Sequence, residues 1–454
     1  MPPDLAELAR QVRRTVPPDA DALAPYETGP RGRTGRAAFA AAPDGLGELR
    51  AALRWAYDHR VPLVPRGAGH TAAAVPDASG TQGVLDLTGL NDAPTVDPAA
   101  GTITAGAGVA LSALDAALEP CGLTLPFGAP GDRTVGGLIG DGASGRRVVP
   151  GGGLRSSLLG VAAVLADAGA TPLPLTDRPA TGGDPSLFFV GAQGSLGIVT
   201  AARFTAVPRP LATAGAVLTF PDEPAALALF DALHRSAPHV LTGFELASTG
   251  LAGTDRPSAL IRLADVWGEL PVPVGTLLTT LVTAHAGAAD IAWLGDGDPE
   301  PPWPAPDQVT AALSRTGTVV ELDVTVPRER VTRLRADARA LAASVQPGAR
   351  VSDLGDALDG RWRLYVTWPS GRPEPSPEGL TSLVTRLHDV VVYAHQGTVA
   401  AVSGAGSGNR GFHQRVLPPA AGRAAGRVKD AFDPRGLLGA PRFGPLRLAV
   451  RRSR

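Results

Sequence analysis

The segment that most constrains the fold lies between residues 61 and 87, where two short apolar runs flank a glycine-rich turn. It reads VPLVPRGAGHTAAAVPDASGTQGVLDL, which predicts a strand, a turn, a loop and a second strand. Gly67 and Gly69 permit backbone conformations in which successive N–H groups converge on one point. Such a concavity, with Arg66 beside it, suits a diphosphate group. His70 ends the turn, where its side chain could reach the group that the diphosphate carries.

The same turn also matches the dinucleotide fingerprint of a Rossmann fold, G-x-G-x-x-A, with Asp86 at the distance of a ribose-binding acid. That fingerprint needs a helix that begins at the turn, because the helix N-terminus binds the pyrophosphate. Pro76, Gly80 and Gly83 precede the second strand and leave no room for a helix of useful length. The Rossmann fold is therefore the weaker alternative.

Composition narrows the class of protein. The 454 residues suffice for two or three domains, and 44% hydrophobic with 19% charged residues is typical of a globular chain. A net charge of −1 gives no general electrostatic reason to expect nucleic acid as a partner. No stretch reaches the roughly 20 apolar residues of a membrane span, and the N-terminus lacks the apolar core of a secretory signal.

The residue types that are rare in this chain indicate the compartment and the kind of genome that we expect for it. Cys121 is the single cysteine, which excludes an internal disulfide and fits a reducing compartment. We therefore expect a cytoplasmic protein, with Cys121 as a small buried residue. Lys429 is the single lysine, and the abundance of arginine, alanine, glycine and proline suggests a GC-rich bacterial genome.

Two further glycine-rich segments follow the first turn. Residues 127–153 hold more glycine than a helix or a regular strand interior tolerates, which predicts irregular backbone packed closely against a large flat group. Residues 188–200, FFVGAQGSLGIVT, place three glycines between apolar segments that we predict to be strands.

The pattern changes near Pro208 and Pro210, beyond which strands alternate with amphipathic helices. This order predicts an α+β domain with a separate antiparallel sheet. The apolar run VVVYA, residues 390–394, predicts a strand with His395 at its end. After His413 the sequence predicts an arginine-rich helix.

The three glycine clusters, in this order and at these spacings, resemble the flavoprotein family named after vanillyl-alcohol oxidase and p-cresol methylhydroxylase. The runs that carry the resemblance are VPLVPRGAGH, TVGGLIGDGASG and LFFVGAQGSLGIVT. Within the family the chain is most similar to the FAD-binding subunits of glycolate oxidase and related 2-hydroxy-acid dehydrogenases, because it contains VVELDVTVPRERV and KDAFDPRGLL.

The resemblance implies an α+β, two-lobed flavoprotein. Residues 1–207 would form an FAD-binding domain of two α/β subdomains, and residues 208–410 an α+β substrate or cap domain with an antiparallel sheet. Residues 411–454 would return to the FAD-binding domain.

The resemblance also assigns residues to FAD. The first turn would wrap the diphosphate, the middle cluster would line the isoalloxazine and ribityl groups, and the third cluster would line the opposite side. In chain order these residues are Pro65, Arg66, Gly67, Ala68, Gly69, His70, Thr71, Thr134, Gly136, Gly137, Gly140, Ser144, Gly197, Ile198 and Val199.

His70 holds the position at which several subgroups bond the 8α-methyl group of the flavin, so the resemblance implies a covalent link, with a hydrogen-bonding histidine as the alternative. A covalent link is expected to raise the reduction potential of the ring. Some members add a second bond through a cysteine where this chain has Gly131 and Asp132. We therefore expect attachment at one residue only.

The chain departs from the family in two places. The usual Asn-Pro-Gly near the flavin is replaced by Gly439, Ala440 and Pro441. The metal-binding histidine motif of many D-2-hydroxy-acid dehydrogenases is absent, because His395 and His413 lack the flanking acids and a second histidine at ligand spacing. We predict no metal, and both departures weaken the case for a hydroxy acid as substrate.

The implied activity is that of an FAD-dependent oxidase or dehydrogenase. It would oxidise a C–H bond beside a hydroxyl or amine of a small-molecule substrate by hydride transfer to the flavin, with oxygen or another electron acceptor completing the cycle. The alternatives are a tailoring oxidase of a bacterial natural-product pathway and a flavin-bound protein with a non-redox role.

Hydride transfer needs a group that takes the substrate proton. His395 is the preferred candidate, because a strand end would direct it toward the flavin, and Glu245 and Tyr393 come next. For each of them a purely structural role is the alternative. The remaining candidates are His285, Tyr365 and His413.

Overall fold

A computed structural model of the chain describes most of its residues. The described ranges are 5–18, 21–29, 34–71, 74–128, 132–142, 153–176, 184–248, 251, 255–285, 290–294, 303, 306–358, 360–369, 375–399 and 419–439. Ser144 and His413 lie outside them. Within these ranges, no helix combines the length and the apolar character that crossing a membrane requires.

Helices occur along the whole described chain. The α-helices are α1 (Leu5–Gln11), α2 (Ala24–Glu27), α3 (Leu46–His59), α4 (Leu111–Leu118), α5 (Val135–Asp141), α6 (Leu154–Ser157), α7 (Glu223–Ser236), α8 (Val274–His285), α9 (Pro306–Ser314), α10 (Val331–Val345), α11 (Pro377–Asp389) and α12 (Pro419–Phe432). Short 3₁₀-helices span Asp21–Leu23, Glu119–Cys121, Pro185–Phe188 and Arg328–Arg330, and a π-helix spans Val390–Ala394.

The first sheet contains the strands on both sides of the first glycine turn. Its strands are β1 (Arg14–Val16), β2 (Ala37–Ala42), β3 (Leu63–Arg66) and β4 (Gln82–Asp86). They lie in the order β1-β2-β4-β3, with β2, β4 and β3 parallel and β1 antiparallel. Helix α3 buries Leu49, Leu53 and Ala56 in the core of this sheet, because these residues lie on one helical face. The described residues between β3 and β4 contain no α-helix, which the Rossmann alternative would require.

The second sheet is antiparallel and follows directly. Its strands are β5 (Thr95–Asp97), β6 (Thr102–Gly106), β8 (Leu158–Val164), β9 (Pro172–Leu173) and β10 (Ile198–Thr205), in the order β5-β6-β10-β8-β9, while β7 (Leu123–Thr124) pairs with β11 (Val207–Pro208). The strand predicted at residues 188–190 was wrong. Phe188 ends a 3₁₀-helix and Phe189 is buried against the aromatic ring of Phe432, so tertiary packing decides the local conformation.

The middle glycine cluster contains a helix that the sequence argument did not expect. Helix α5 has the sequence VGGLIGD, and Thr134 caps it by accepting a hydrogen bond from the Gly137 N–H at 3.3 Å. Val135, Leu138 and Ile139 are fully buried in the core of the second sheet. Burial of one apolar face therefore offsets the roughly 1 kcal/mol per residue that glycine costs in a helix.

The third sheet forms the cap. Its strands are β12 (Ala212–Thr219), β13 (Leu241–Ala247), β14 (Ser258–Asp265), β15 (Asp290–Leu294), β16 (Gly317–Thr325), β17 (Arg350–Asp356), β18 (Arg361–Pro369) and β19 (Thr398–Val399), in the antiparallel order β15-β12-β14-β13-β17-β18-β16-β19. Helices α7, α8, α10 and α11 cover one face, and α9 lies against the other. Alternation along β13 places Phe244 and Leu246 under the helices and Glu245 on the opposite face.

Two local predictions were wrong. Residues 390–394 form a π-helix that continues α11, with the His395 N–H bonded to the Val390 carbonyl at 3.1 Å, because Val391 extends the buried face of that helix. Cys121 is exposed, since it ends a short 3₁₀-helix at the surface.

The C-terminal segment returns to the first part of the chain. Leu437 and Leu438 join the core of the first sheet, and Phe432 packs against that of the second. The predicted class is confirmed: the chain is α+β, with two sheets in its first half and an antiparallel sheet in the cap. The domain boundaries at residues 207 and 410 stay predictions.

Candidate functional site

The three glycine clusters meet around one cleft. The predicted residues that line it are Pro65, Arg66, Gly67, Thr71, Thr134, Gly136, Gly137, Gly140, Gly197, Ile198 and Val199. The lining residues that the sequence argument missed are Ala74, Leu87, Ala107, Asp141, Phe189, Gln193 and Gly194. Gly194 and Gln193 lie inside the third glycine run, so the motif itself could have identified them.

Because glycine has no side chain, the three clusters can approach one another closely. A Cβ at Gly67 would lie 2.3 Å from the Thr134 hydroxyl, which joins the first cluster to the middle one. A Cβ at Gly194 would lie 2.8 Å from the Pro65 ring, which joins the third cluster to the first. Real Cβ contacts are longer than this, so both approaches depend on glycine.

Backbone hydrogen bonds join the middle and third clusters. The Gly191 N–H donates to the Ile139 carbonyl at 2.9 Å, and the Gln193 N–H donates to the Gly140 carbonyl at 2.8 Å. Gln193 is buried and has a φ of 51°, in the left-handed region. The third cluster therefore crosses the end of α5 in a fixed position beside the cleft.

The first turn offers backbone donors. Within the part of the chain that the structure describes, the N–H groups of residues 67–70 donate to no other protein group. Ala68 and His70 are exposed, and Thr71 lines the cleft. Consecutive donors of this kind suit an anion such as a diphosphate.

Arg66 lines the cleft, and its guanidinium binds backbone carbonyls. Its Nη2 donates to the Pro25 carbonyl at 2.9 Å and its Nη1 to the Ala74 carbonyl at 3.2 Å. The guanidinium also lies 5.9 Å from the ring of Tyr26, whose hydroxyl donates to Asp86 at 3.0 Å. Burial and the nearby carboxylate raise the pKa of Tyr26. Arg66 thus connects the glycine turn to residues 25–28.

One charged pair borders the cleft. Asp141 lines it and accepts a hydrogen bond from the buried guanidinium of Arg133 at 2.5 Å. The arginine compensates the carboxylate, so Asp141 adds little net negative charge at this wall.

A slot between backbone walls, with apolar side chains and a row of N–H donors, fits the flat ring and the diphosphate of FAD. Two family models match the chain: an FAD binding domain over residues 37–171 and the C-terminal domain of FAD linked oxidases over residues 286–441. The chain belongs to the FAD-linked oxidoreductases.

Relatives of this oxidoreductase share most of its length. The chain is 27% identical to the mitochondrial D-2-hydroxyglutarate dehydrogenase of Bos taurus, over 96% of the chain and 82% of the relative. It is 25% identical to the D-2-hydroxyglutarate dehydrogenase of Stutzerimonas stutzeri, over 92% of the chain and 94% of the relative. The solved structure of p-cresol methylhydroxylase with substrate bound shares its fold, with a TM-score of 0.74 and 16% identity over 96% of this chain and 95% of that one.

None of the described candidates for the proton acceptor lines the cleft of the oxidoreductase. Glu245 is buried and paired with the Arg262 Nη1 at 2.9 Å. Tyr393 is 68% exposed on the π-helix. His395 is 2% exposed, with Nε2 at 2.8 Å from the Asp337 carboxylate.

His285 and Tyr365 do not line the cleft either. His285 is exposed at the end of α8, and Tyr365 is fully buried on β18. Among the described residues, no group of three or more His, Cys, Asp or Glu side chains could hold a metal ion.

Proposed function

We propose that FAD occupies the cleft of this oxidoreductase and that the enzyme oxidises a hydroxyl-bearing carbon of a small molecule. The observation that carries the proposal is the convergence of the three glycine clusters on one slot. Flavin bound there supplies the hydride acceptor. The names of the relatives, D-2-hydroxyglutarate dehydrogenases, support a hydroxyl rather than an amine as the group beside the reacting C–H bond.

The backbone of the first turn would hold the diphosphate of FAD. The N–H groups of residues 67–70 are the donors, as the lack of other partners within the described chain supports. The apolar side chains of Phe189, Ile198 and Val199 would pack against the ring and exclude water.

We also propose that His70 bonds the flavin covalently. Its exposure beside the cleft would leave the imidazole accessible to the ring edge. Precipitation of the purified protein with acid tests this: we expect yellow colour in the pellet of the wild type and in the supernatant of His70→Ala. Colour in the supernatant of the wild type would leave His70 with a hydrogen bond at most.

For proton transfer we propose His395, held by Asp337. A histidine oriented by a carboxylate is the usual arrangement of a general base. We expect His395→Ala to lower turnover by about 10²–10⁴-fold at unchanged flavin content. Full turnover and full flavin content in this variant would make the assignment wrong.

Anaerobic reduction of the flavin tests the substrate class. We expect a 2-hydroxy acid or a simple alcohol to bleach the flavin band, whereas amines do not. The departure at Gly439, Ala440 and Pro441 favours a second candidate, a tailoring oxidase with a larger substrate. Bleaching only by larger alcohols would support that candidate, and bleaching by dithionite alone would support a non-redox role.

For the electron acceptor we propose oxygen or another acceptor, and for the location a reducing compartment such as the cytoplasm. The single cysteine is the feature that supports this location. Reoxidation of the reduced enzyme in air-saturated buffer separates the two acceptors, because only an oxidase recovers its yellow colour within seconds.

A further inference from the structure

The single lysine of the chain is buried. Lys429 lies in the last turn of α12 and is 9% exposed. Its three ammonium hydrogens meet three acceptors: the Asp433 carboxylate at 2.5 Å, the Ser195 carbonyl at 2.6 Å and the Leu438 carbonyl at 2.9 Å. An ammonium has three donors, so all of its hydrogen-bonding capacity is used.

Asp433 organises the chain that follows α12. Its two carboxylate oxygens accept the N–H groups of Leu437 and Leu438, each at 2.8 Å. The Leu437 carbonyl in turn accepts a hydrogen bond from the Leu63 N–H at 2.8 Å, and Leu438 forms a parallel β-bridge with Leu63. The C-terminal segment therefore lies along the edge of β3, the strand that leads into the first glycine turn.

The Ser195 carbonyl, the remaining acceptor of Lys429, belongs to the third glycine cluster. Ser195 is fully buried and directly follows Gln193 and Gly194, which line the cleft. Helix α12 contacts this cluster a second time through Phe432, whose ring lies 6.1 Å from that of the cleft residue Phe189. One amine thus connects the third glycine cluster with the segment that pairs beside the first.

We propose that Lys429 is a positioning residue for FAD: it holds the third glycine cluster in place against the segment that pairs with β3, in the arrangement that the cofactor requires, and FAD binding and the docking of α12 therefore stabilise each other. This inference rests on the proposed placement of FAD in the cleft. Such coupling is reciprocal, because a ligand that strengthens docking must also bind more tightly when the helix is docked.

The first test measures the dissociation constant of FAD in a His70→Ala background, so that flavin can be removed and added back. We expect Lys429→Met to raise the dissociation constant of FAD by about 10- to 100-fold and to change the visible circular dichroism of the bound flavin. Arg423→Met, which removes an exposed cation from the same helix, should leave both unchanged.

A second control separates positioning from general stability. Arg335→Met removes a buried arginine of the cap core, so it should destabilise the protein without changing the FAD dissociation constant. The inference would be overturned if Lys429→Met bound FAD as tightly as the background protein. It would also be overturned if Arg335→Met lost as much FAD affinity as Lys429→Met.

A third measurement needs no substitution of Lys429. Because Lys429 is the only lysine, an acylating reagent has one side-chain amine to modify, and mass spectrometry reads it directly. We expect FAD at 100 times its dissociation constant to slow acylation of Lys429 by up to about 100-fold, while the α-amino group reacts at an unchanged rate. Equal acylation of Lys429 with and without bound FAD would overturn the inference. Failure of the protein to bind any FAD would instead refute the placement of FAD.

Discussion

The cleft and the cap are stabilised by different kinds of contact. In the cleft, backbone meets backbone or a small side chain, as where Gly67 faces Thr134 and Gly194 faces Pro65. In the cap, charged side chains connect helices to the sheet: Arg335 of α10 pairs with Glu223 and with Asp353, the latter at 2.6 Å.

The difference determines which substitutions each region tolerates. The cleft should be sensitive to added volume, because its walls are already in contact. The cap should be sensitive to the loss of one charge, because a buried ion whose partner is removed is not resolvated. Four substitutions test this contrast.

The largest effect is expected in the cap. Arg335→Met leaves the buried carboxylates of Glu223 and Asp353 without their cation, so we expect the free energy of unfolding to fall by about 3–5 kcal/mol. Urea denaturation measures it. The matched control is Arg209→Met, which breaks an exposed pair with Glu119 and should cost about 0–1 kcal/mol. Equal losses in both variants would remove the distinction between the two regions.

The next effect is expected in the cleft. Gly67→Ala forces a Cβ against the Thr134 hydroxyl, so we expect a loss of about 1–3 kcal/mol together with a loss of bound flavin. Thr134→Ala in the same chain removes the clashing oxygen and should restore part of the flavin content. Gly47→Ala is the control, since a Cβ there meets nothing within 4 Å. A Gly67→Ala protein with full flavin content would show that the walls do not need this contact.

Sequence reasoning succeeded where backbone geometry required a particular residue type. The glycines at 67 and 197 identified the cleft because a Cβ there would lie within 3.0 Å of Thr134 or of Phe189. It failed where ordinary residues gain their role from distant partners. Lys429 looks like any basic residue of a helix until Ser195 and Leu438 are brought beside it.

The same limit explains the errors in the cap. A run of β-branched residues predicts a strand, yet residues 390–394 continue a helix because Val391 adds to its buried face. This error removed one reason for preferring His395, its expected position at a strand end, and leaves the contact with Asp337 as the reason that supports it. Strand alternation gives no hint that Glu245 pairs with Arg262, since the partner comes from a neighbouring strand.

A smaller effect is expected at Arg66, the charged residue of the first turn, because its hydrogen bonds are to backbone carbonyls. Arg66→Met removes the donors to the Pro25 and Ala74 carbonyls, so we expect the FAD-free protein to lose about 1 kcal/mol of unfolding free energy. Arg54→Met, an exposed residue of α3, is the control. Unchanged stability of the FAD-free protein, with weaker FAD binding, would return Arg66 to the diphosphate role that the sequence suggested.

The smallest effect concerns the charge of Lys429, a buried ion that contacts the third glycine cluster through the Ser195 carbonyl. Burial lowers the pKa of this amine below its usual 10.5, an effect that the carboxylates of Asp433 and Asp430 oppose. Between the lowered pKa and 10.5 the unfolded chain holds a proton that the folded chain has released. The free energy of unfolding therefore gains a component that rises with pH in that window, by at most about 1.4 kcal/mol per pH unit. Urea denaturation at several alkaline pH values should show the difference between wild type and Lys429→Met increasing with pH. A decreasing difference would mean that Asp433 outweighs the cost of burial and holds the amine charged in the folded protein.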